Sequence, residues 1–192
     1  MTDNNDFPTE TVLSDGSVYR VVPVDTGVRA IRAWAEHPWP MSPAQALALR
    51  DRLGWTSSPT DEEMLTTDHD LEEKDAWFIT IEADRGTRTV SSFRMSLTSR
   101  IPKNVMDEAA PITERAFDAY VEALTAVYGQ GKRGKRKQHT TVTWDLPSDA
   151  SVDISTVSWL ISIDVDSPEL NEAARGEAQY FDEIADENDP AR

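Results

Sequence analysis

The sequence predicts an α+β domain of two layers, in which helices pack on one face of a mostly antiparallel sheet of five to six strands. Two observations lead to this fold class. Some segments alternate apolar and polar residues, as strands do, whereas others place apolar residues three and four positions apart, as helices do. The strand segments are joined by short polar connections, which favour hairpins and antiparallel pairing. A length of 192 residues suits one domain.

The first elements are a strand and a helix. Residues 1–15 lack periodicity, so we expect a flexible leader there and the main domain over residues 16–184. Ser17–Val24 alternates valines and predicts a short strand. From Asp25 onward the apolar residues recur at helical spacing, which predicts a helix. The two prolines in His37–Pro40 end it.

The second helix has the clearest start signal in the chain. Ser42 is the predicted N-cap, Pro43 occupies the first helical position, and Gln45 completes a capping box. Gly54 is a natural C-terminal stop. The apolar stripe of this helix comprises Ala46, Leu49 and Leu53.

An acidic loop and a hairpin are predicted next. Thr56–Lys74 is polar and reads as a surface loop, and loops of that length are often functional. Ala76–Ala83 and Ser91–Leu97 alternate as strands, and Asp84–Gly86 suits a tight turn between them. In the first of these strands, the face expected to point into the core comprises Trp77, Ile79 and Ile81.

The C-terminal half of the sequence predicts one helix, then three consecutive strands, and then a last helix. Thr113–Tyr128 is strongly amphipathic and ends at Gly129. Three strands follow, at Thr140–Leu146, Ser151–Ile154 and Val157–Val165. Glu169–Ile184 predicts a polar helix with weak apolar contacts, and residues 185–192 a frayed acidic tail.

Charge is concentrated in three places. The net charge is −16, which excludes a protein that binds the nucleic acid backbone irrespective of sequence. Asp61–Asp75 holds eight acids and one lysine, and Asp164–Arg192 holds ten acids and two arginines. The run Gly131–Lys137 opposes them with five basic residues.

Catalytic, metal and phosphate sites are not predicted. His37, His69 and His139 lie in expected loops and outside the spacings of known catalytic motifs, which favours surface histidines. There is no cysteine. Asp68 and its acidic neighbours lack the glycine and the spaced oxygens of a calcium loop. The glycines around Lys132 follow a helix instead of preceding one, so we interpret that run as a flexible basic turn. We expect no cofactor.

The predicted site is therefore a partner-binding surface. A charge run is usually a solvated face, and the sharper alternative is recognition of a basic protein. The carboxylates expected to face that partner are Asp61, Glu62, Glu63, Asp68, Asp70, Glu72 and Glu73. Trp39, between two prolines, is a candidate aromatic anchor, with packing at the helix–helix corner as the alternative.

Three segments resemble a known family. Trp39–Trp55, Ala123–Gln130 and Thr141–Ser155 resemble a family of uncharacterised actinobacterial proteins of similar length, over most of residues 25–170. These motifs are structural, so the resemblance implies no catalytic residue. It implies a position near secreted-toxin loci and hence an immunity role. The order of elements is also similar to that of secretion-chaperone-like α+β folds.

These observations favour a non-enzymatic, acidic protein-binding module, most concretely an immunity protein that neutralises a basic toxin. A chaperone or adaptor for a secreted protein is the alternative, and an enzyme is the third class. No segment reaches the about 18 apolar residues of a membrane span, and the polar N-terminus is unlike a secretory signal. We therefore expect a cytoplasmic protein that contacts neither membranes nor nucleic acid directly.

Overall fold

The computed structural model describes residues 7–83, 86–136 and 139–187, which form a mixed α+β fold. The helices are α1 (Val24–Ala35), α2 (Pro43–Arg52), α3 (Met106–Tyr128) and α4 (Pro168–Glu187), with a 3₁₀ turn at Lys103–Val105. The strands are β1 (Glu10–Val12), β2 (Val18–Arg20), β3 (Thr56–Ser58), β4 (Asp61–Thr66), β5 (Ala76–Ala83), β6 (Thr87–Ser96), β7 (Lys132–Arg136), β8 (His139–Asp145), β9 (Ser151–Val157) and β10 (Leu160–Asp166).

The main sheet consists of two antiparallel meanders joined at its centre. Its eight strands have the order β3-β4-β5-β6-β10-β9-β8-β7, and β1 and β2 form a separate two-stranded sheet. Helices precede each four-stranded meander along the chain, so the two halves share one order of elements. The first meander ends with β6 and the second with β10. These two strands pair with each other, which places Arg94 opposite Asp164.

The hydrophobic core lies between the sheet and the first three helices. Trp34 of α1 stacks on Phe93 of β6 with ring centroids 4.0 Å apart. Tyr120 of α3 is fully buried and donates a hydrogen bond of 2.9 Å to the carbonyl of Val22. Removing each such ring from water contributes roughly 1.5–3 kcal/mol. These three helices therefore cover one face of the sheet, as predicted, whereas α4 begins beside the opposite face.

The opposite face of the sheet is only partly covered, and we call it the open face. Phe78 pairs with Phe93, and Ala76 and Phe78 are the core residues of β5. The face expected to be inward is therefore the open one, and Ile79 and Ile81 are 48% and 39% exposed. Alternation alone does not distinguish the two faces, because β5 carries apolar residues on both. Trp77 is half-buried on this face, which corrects its expected place in the core.

The strand count is higher than predicted because the outer strands are polar. β3 and β4 occupy the segment interpreted as a loop, and β7 occupies the expected basic turn. Edge strands have little buried surface, so their sequences need not alternate. In the expected leader, residues 10–12 form β1, and Phe7 and Leu13 are buried. Two residues of the predicted turn, 84 and 85, lie outside the described residues.

The last helix, α4, extends along solvent. It begins at Pro168, where Ser167 caps it by accepting a hydrogen bond of 3.1 Å from the amide of Leu170. Ala173 and Ala174 are exposed, so the expected apolar contacts of this helix are absent at those two described positions. The helix continues through the first residues of the predicted tail to Glu187, and residues 188–192 are outside the described chain. Among the described residues, no helix has the length and apolar character to span a bilayer.

Candidate functional site

The acidic residues predicted from the sequence lie at one end of the sheet, on β4 and on the loop that joins it to β5. We call this surface the acidic edge. β4 pairs with the outermost strand β3 on one side and with β5 on the other. Asp61, Glu62 and Glu63 begin β4, and the remaining four residues occupy the loop. The structure therefore places three of the seven carboxylates at the start of β4 and the other four beyond its end.

Three of these seven carboxylates are held by other residues of the chain. Glu63 forms an ion pair of 2.8 Å with Arg88 and accepts a hydrogen bond of 2.7 Å from Thr80. Asp68 accepts a hydrogen bond of 3.1 Å from Nε1 of Trp55 and lies 3.1 Å from Nδ1 of His69. Glu72 pairs with Arg100 at 3.2 Å. These three acids therefore stabilise the edge itself.

The other four carboxylates are directed to solvent. Asp61, Glu62, Asp70 and Glu73 are exposed, and none forms an ion pair with a described residue. Asp61 accepts a backbone hydrogen bond of 3.0 Å from Glu63, which fixes the start of the strand. These four acids are the part of the predicted surface that a basic partner would meet.

Two titratable side chains are buried beneath the acidic edge. Asp75 accepts hydrogen bonds from Thr67 at 2.8 Å and 2.5 Å, and burial raises the pKa of Asp75 despite them. His69 was predicted to be a surface histidine, but its side chain is only 5% exposed. Its ring packs edge-on against Trp55, 5.8 Å between centroids, and burial lowers the pKa of His69. The described residues contain no group of three or more metal-binding side chains.

Trp39 lies at the corner between α1 and α2. It is half-buried and packs against the core, and its Nε1 is buried without a hydrogen-bond partner among the described residues. A shallow groove beside it is lined by Val127, Tyr128 and Leu146. This position corresponds to the alternative interpretation, in which Trp39 packs at the corner between the two helices. A role as an aromatic anchor stays a prediction.

A second acidic site, which the sequence did not single out, lies at the centre of the open face. We call it the acidic groove. Three aspartates from two adjacent strands surround Arg94 of β6: Asp153 comes from β9, and Asp164 and Asp166 come from β10. The groove is bordered by Trp77 and Ile79 of β5 and by Leu170 and Asn171 at the start of α4.

Arg94 is the central cation of the acidic groove. Its Nε atom forms an ion pair with Asp164, and its guanidinium carbon lies 5.6 Å from the centroid of the Trp77 ring. Asp153 accepts a hydrogen bond of 2.5 Å from Thr143 of β8. Asp166 has no ion-pair partner among the described residues. A single guanidinium, that of Arg94, therefore lies among three carboxylates.

The surroundings of the groove disfavour the charged form of its three aspartates. Burial raises the pKa of Asp153 and of Asp164, although Thr143 and Arg94 oppose the rise. The pKa of Asp166 rises to about 6, first because of burial and then because of repulsion from Asp164 and Asp153. Such a site gains from any additional cation that enters it. Its chemistry is therefore suited to binding a positively charged group.

The sequence contained part of the signal for this groove. Asp164 and Asp166 fall within the second acidic segment, and both point away from Ile163 and Val165 in an alternating strand. Arg94 is 70 residues distant from Asp164 along the chain, so only the pairing of β6 with β10 brings them together.

A known protein family matches most of the chain that forms this architecture. The model of a family of unknown function, DUF6301, matches residues 25–167. The chain belongs to this family. The matched DUF6301 segment includes both meanders of the sheet and the five charged residues that line the acidic groove, which are Arg94, Asp145, Asp153, Asp164 and Asp166. No curated protein and no solved structure matches the chain.

Proposed function

We propose that this DUF6301 protein is a non-enzymatic module that binds a basic protein, most concretely an immunity protein that neutralises a basic toxin in the cytoplasm. The observation that carries the proposal is the acidic groove, where three aspartates share one arginine on a partly exposed sheet face. A lysine or arginine of a partner would supply the missing positive charge.

The borders of the groove support recognition of a side chain with both a charge and an apolar stem. Trp77, Ile79 and Leu170 line the groove together with the aspartates, and Ile79 is about half exposed. Lysine and arginine place their methylene groups on apolar surface while their charged ends reach acidic groups. Aromatic residues are also enriched among the residues that dominate binding energy. The groove therefore suits insertion of one or two basic side chains.

The acidic edge has a different part in the proposal. Its four solvent-directed carboxylates are exposed, so each adds little to affinity, but together they attract a cationic protein and increase the association rate. This attraction is screened over about 10 Å at 0.1 M salt. Added salt should therefore slow association more than it speeds dissociation.

The arrangement of the histidines supports a binding role over an enzymatic one. His69 is buried beside Trp55, and His139 begins β8 on the far side of the sheet from it. Nδ1 of His37 donates a hydrogen bond of 2.8 Å to the carbonyl of its neighbour Pro38. None of the three lines the acidic groove. A general base would have to come from the aspartates themselves.

The test compares partner capture by the wild-type protein and by Asp153→Asn/Asp166→Asn, which keeps the pair of Arg94 with Asp164. The control, Asp107→Asn/Glu122→Gln, removes the same charge from the exposed surface of α3. We expect the wild type and the control to capture a basic protein from the source cell at low salt. The groove variant should bind it at least tenfold more weakly, about 1.4 kcal/mol.

Two results would contradict the proposal. One is capture of partners that are not basic. The other is equal loss of binding in the groove variant and the control, since this would make the groove no more than part of the net charge. When the partner is a toxin, coexpression with the wild-type protein should restore growth, and coexpression with the groove variant should not.

A chaperone or adaptor for a secreted protein is the second candidate, and the apolar part of the open face favours it. Ile79 and Ile81 are exposed next to one another on β5, and such neighbouring apolar residues are typical of interaction surfaces. This function requires binding of an apolar segment that is insensitive to salt, together with dimerisation. Light scattering that shows a monomer, with salt-sensitive binding, would eliminate it.

A further inference from the structure

The far edge of the sheet from the acidic edge is basic, and we call it the basic edge. It is the strand β7, which pairs with β8 on one side and with no other described strand. Alternate backbone N–H and C=O groups of an edge strand point outward and are available to another strand. The basic edge is therefore a template for strand addition.

The side chains of this strand are unusually charged for a protein with a net charge of −16. Four of its five residues are basic, and the fifth is Gly134. Lys132 pairs with Asp145 at 2.5 Å, whereas Arg133 and Lys135 are exposed and form no ion pair with another described residue. Positive charge is thus concentrated beside the outward backbone groups.

A groove next to β7 provides room for the side chains of an added strand. Arg133 and Lys135 line one wall of this groove, and α3 lines the other with the apolar Phe117 and the acids Glu114 and Asp118. Gly134 lies between the two basic residues, and a Cβ there would be 2.7 Å from Oγ1 of Thr141. A side chain of the added strand opposite Gly134 therefore meets no side chain from β7.

We infer that the basic edge binds an extended acidic segment of a partner protein by strand addition to β7. Residues directly opposite in an antiparallel pair are about 5 Å apart, so acids facing Arg133 and Lys135 would be in contact with them. A second copy of β7 is a poor occupant, because it would place like charges opposite one another. Charge complementarity selects the acidic segment, and this inference is independent of the acidic groove.

The probe is a fluorescent heptapeptide, SEEVEES, whose acidic positions match the four cations and whose valine matches Gly134. The sequence reads identically in both directions, so it fits parallel and antiparallel addition. We expect saturable binding by the full chain, measured by fluorescence polarisation, and slower amide exchange in β7 when the peptide is bound. N-methylation of the peptide on both backbone edges keeps its charge and should weaken binding at least tenfold.

Variants separate this edge from overall charge. Arg133→Ser/Lys135→Ser should weaken binding of the peptide at least tenfold, whereas Lys74→Asn/Lys103→Ser, which removes two cations elsewhere, should change it less than twofold. Where the first variant fails to fold, the comparison of the two peptides on the wild type decides. Equal binding of the N-methylated peptide, tighter binding of an oligothymidylate of equal charge, or no saturable binding would overturn the inference. If no saturable binding is found, the basic side chains of β7 serve only to prevent this edge from pairing with the edge of another sheet.

Discussion

The substitution Asp166→Asn should stabilise the protein at neutral pH, because it removes an anion that the acidic groove holds unfavourably. Burial and two neighbouring carboxylates raise the pKa of Asp166 from its ordinary value of 3.8 to about 6. Each tenfold preference for the protonated form is worth about 1.4 kcal/mol, so the full rise corresponds to about 3 kcal/mol. Asp166 is only half-buried, and solvent screening reduces this to about 1–2 kcal/mol.

The sign of this effect depends on pH in a specific way. Below pH 3.8 the aspartate is protonated in both the folded and the unfolded chain, so it has no effect on the free energy of unfolding. Between 3.8 and about 6 the folded protein binds the proton more tightly, and its stability falls as the pH rises. Above about pH 6 the loss is complete. The advantage of the asparagine should therefore be largest at pH 7 and disappear near pH 4.

The assay is urea-induced unfolding followed by circular dichroism at pH 4, 5, 6 and 7, for the wild type, Asp166→Asn and the control Glu122→Gln. Glu122 is exposed on α3, so its substitution should change the free energy of unfolding by less than about 0.5 kcal/mol at every pH. The reasoning is refuted when Asp166→Asn is less stable than the wild type at pH 7, or when its advantage is the same at pH 4. Either result would show that the carboxylate makes a favourable contact as an anion.

Four further predictions follow from particular contacts. Arg94→Met should lower stability by about 1–3 kcal/mol at pH 7 and by less at pH 5, measured by the same urea titrations, because Arg94 supplies the one guanidinium that the described residues place in the groove. Binding of the basic partner should weaken as the pH falls through about 6, since Asp166 becomes neutral there; calorimetry that shows tighter binding at pH 5 would contradict this. Gly27→Ala should cost about 1–3 kcal/mol, because its Cβ would lie 2.2 Å from the Tyr120 hydroxyl oxygen, whereas Gly176→Ala, with nothing within 4 Å, should be neutral or stabilise α4 by about 0.5–1 kcal/mol. Ser42→Ala should lower the melting temperature, since it removes a cap worth about 1 kcal/mol, and an unchanged melting temperature would deny the capping box its role.

The helices were the part of the fold that local sequence specified best. α2 begins after Ser42 with the predicted capping box, and α3 ends at Gly129, which has a positive φ of 83°. Both signals act within a few residues, because helix hydrogen bonds connect positions four apart. The N-terminal part of α3 was missed: the predicted helix begins at Thr113, whereas α3 begins at Met106 and contains Pro111. A proline is usually found near the start of a helix, so the residues before it carry no clear helical signal.

The polar outer strands were the part that local sequence did not specify. β4 has the acidic sequence DEEMLT and β7 the basic sequence KRGKR, and neither alternates as a half-buried strand does. Each is a strand because a neighbouring strand with a strong apolar pattern provides its hydrogen-bond partners. Pairing of this kind depends on the neighbour, so the charge runs were interpreted as loops. Their residues nevertheless remain the acidic and basic surfaces that the composition indicated.

The sequence by itself determined the fold class, the position of the main helices and the separation of charge along the chain, because these depend on local periodicity and on composition. Only the tertiary structure decided which face of β5 is buried, and only it assembled the acidic groove. That groove needs Arg94 and Asp164, 70 residues apart, on paired central strands. Long-range strand pairing is set by the packing of the whole core, and no local pattern in the sequence specifies it.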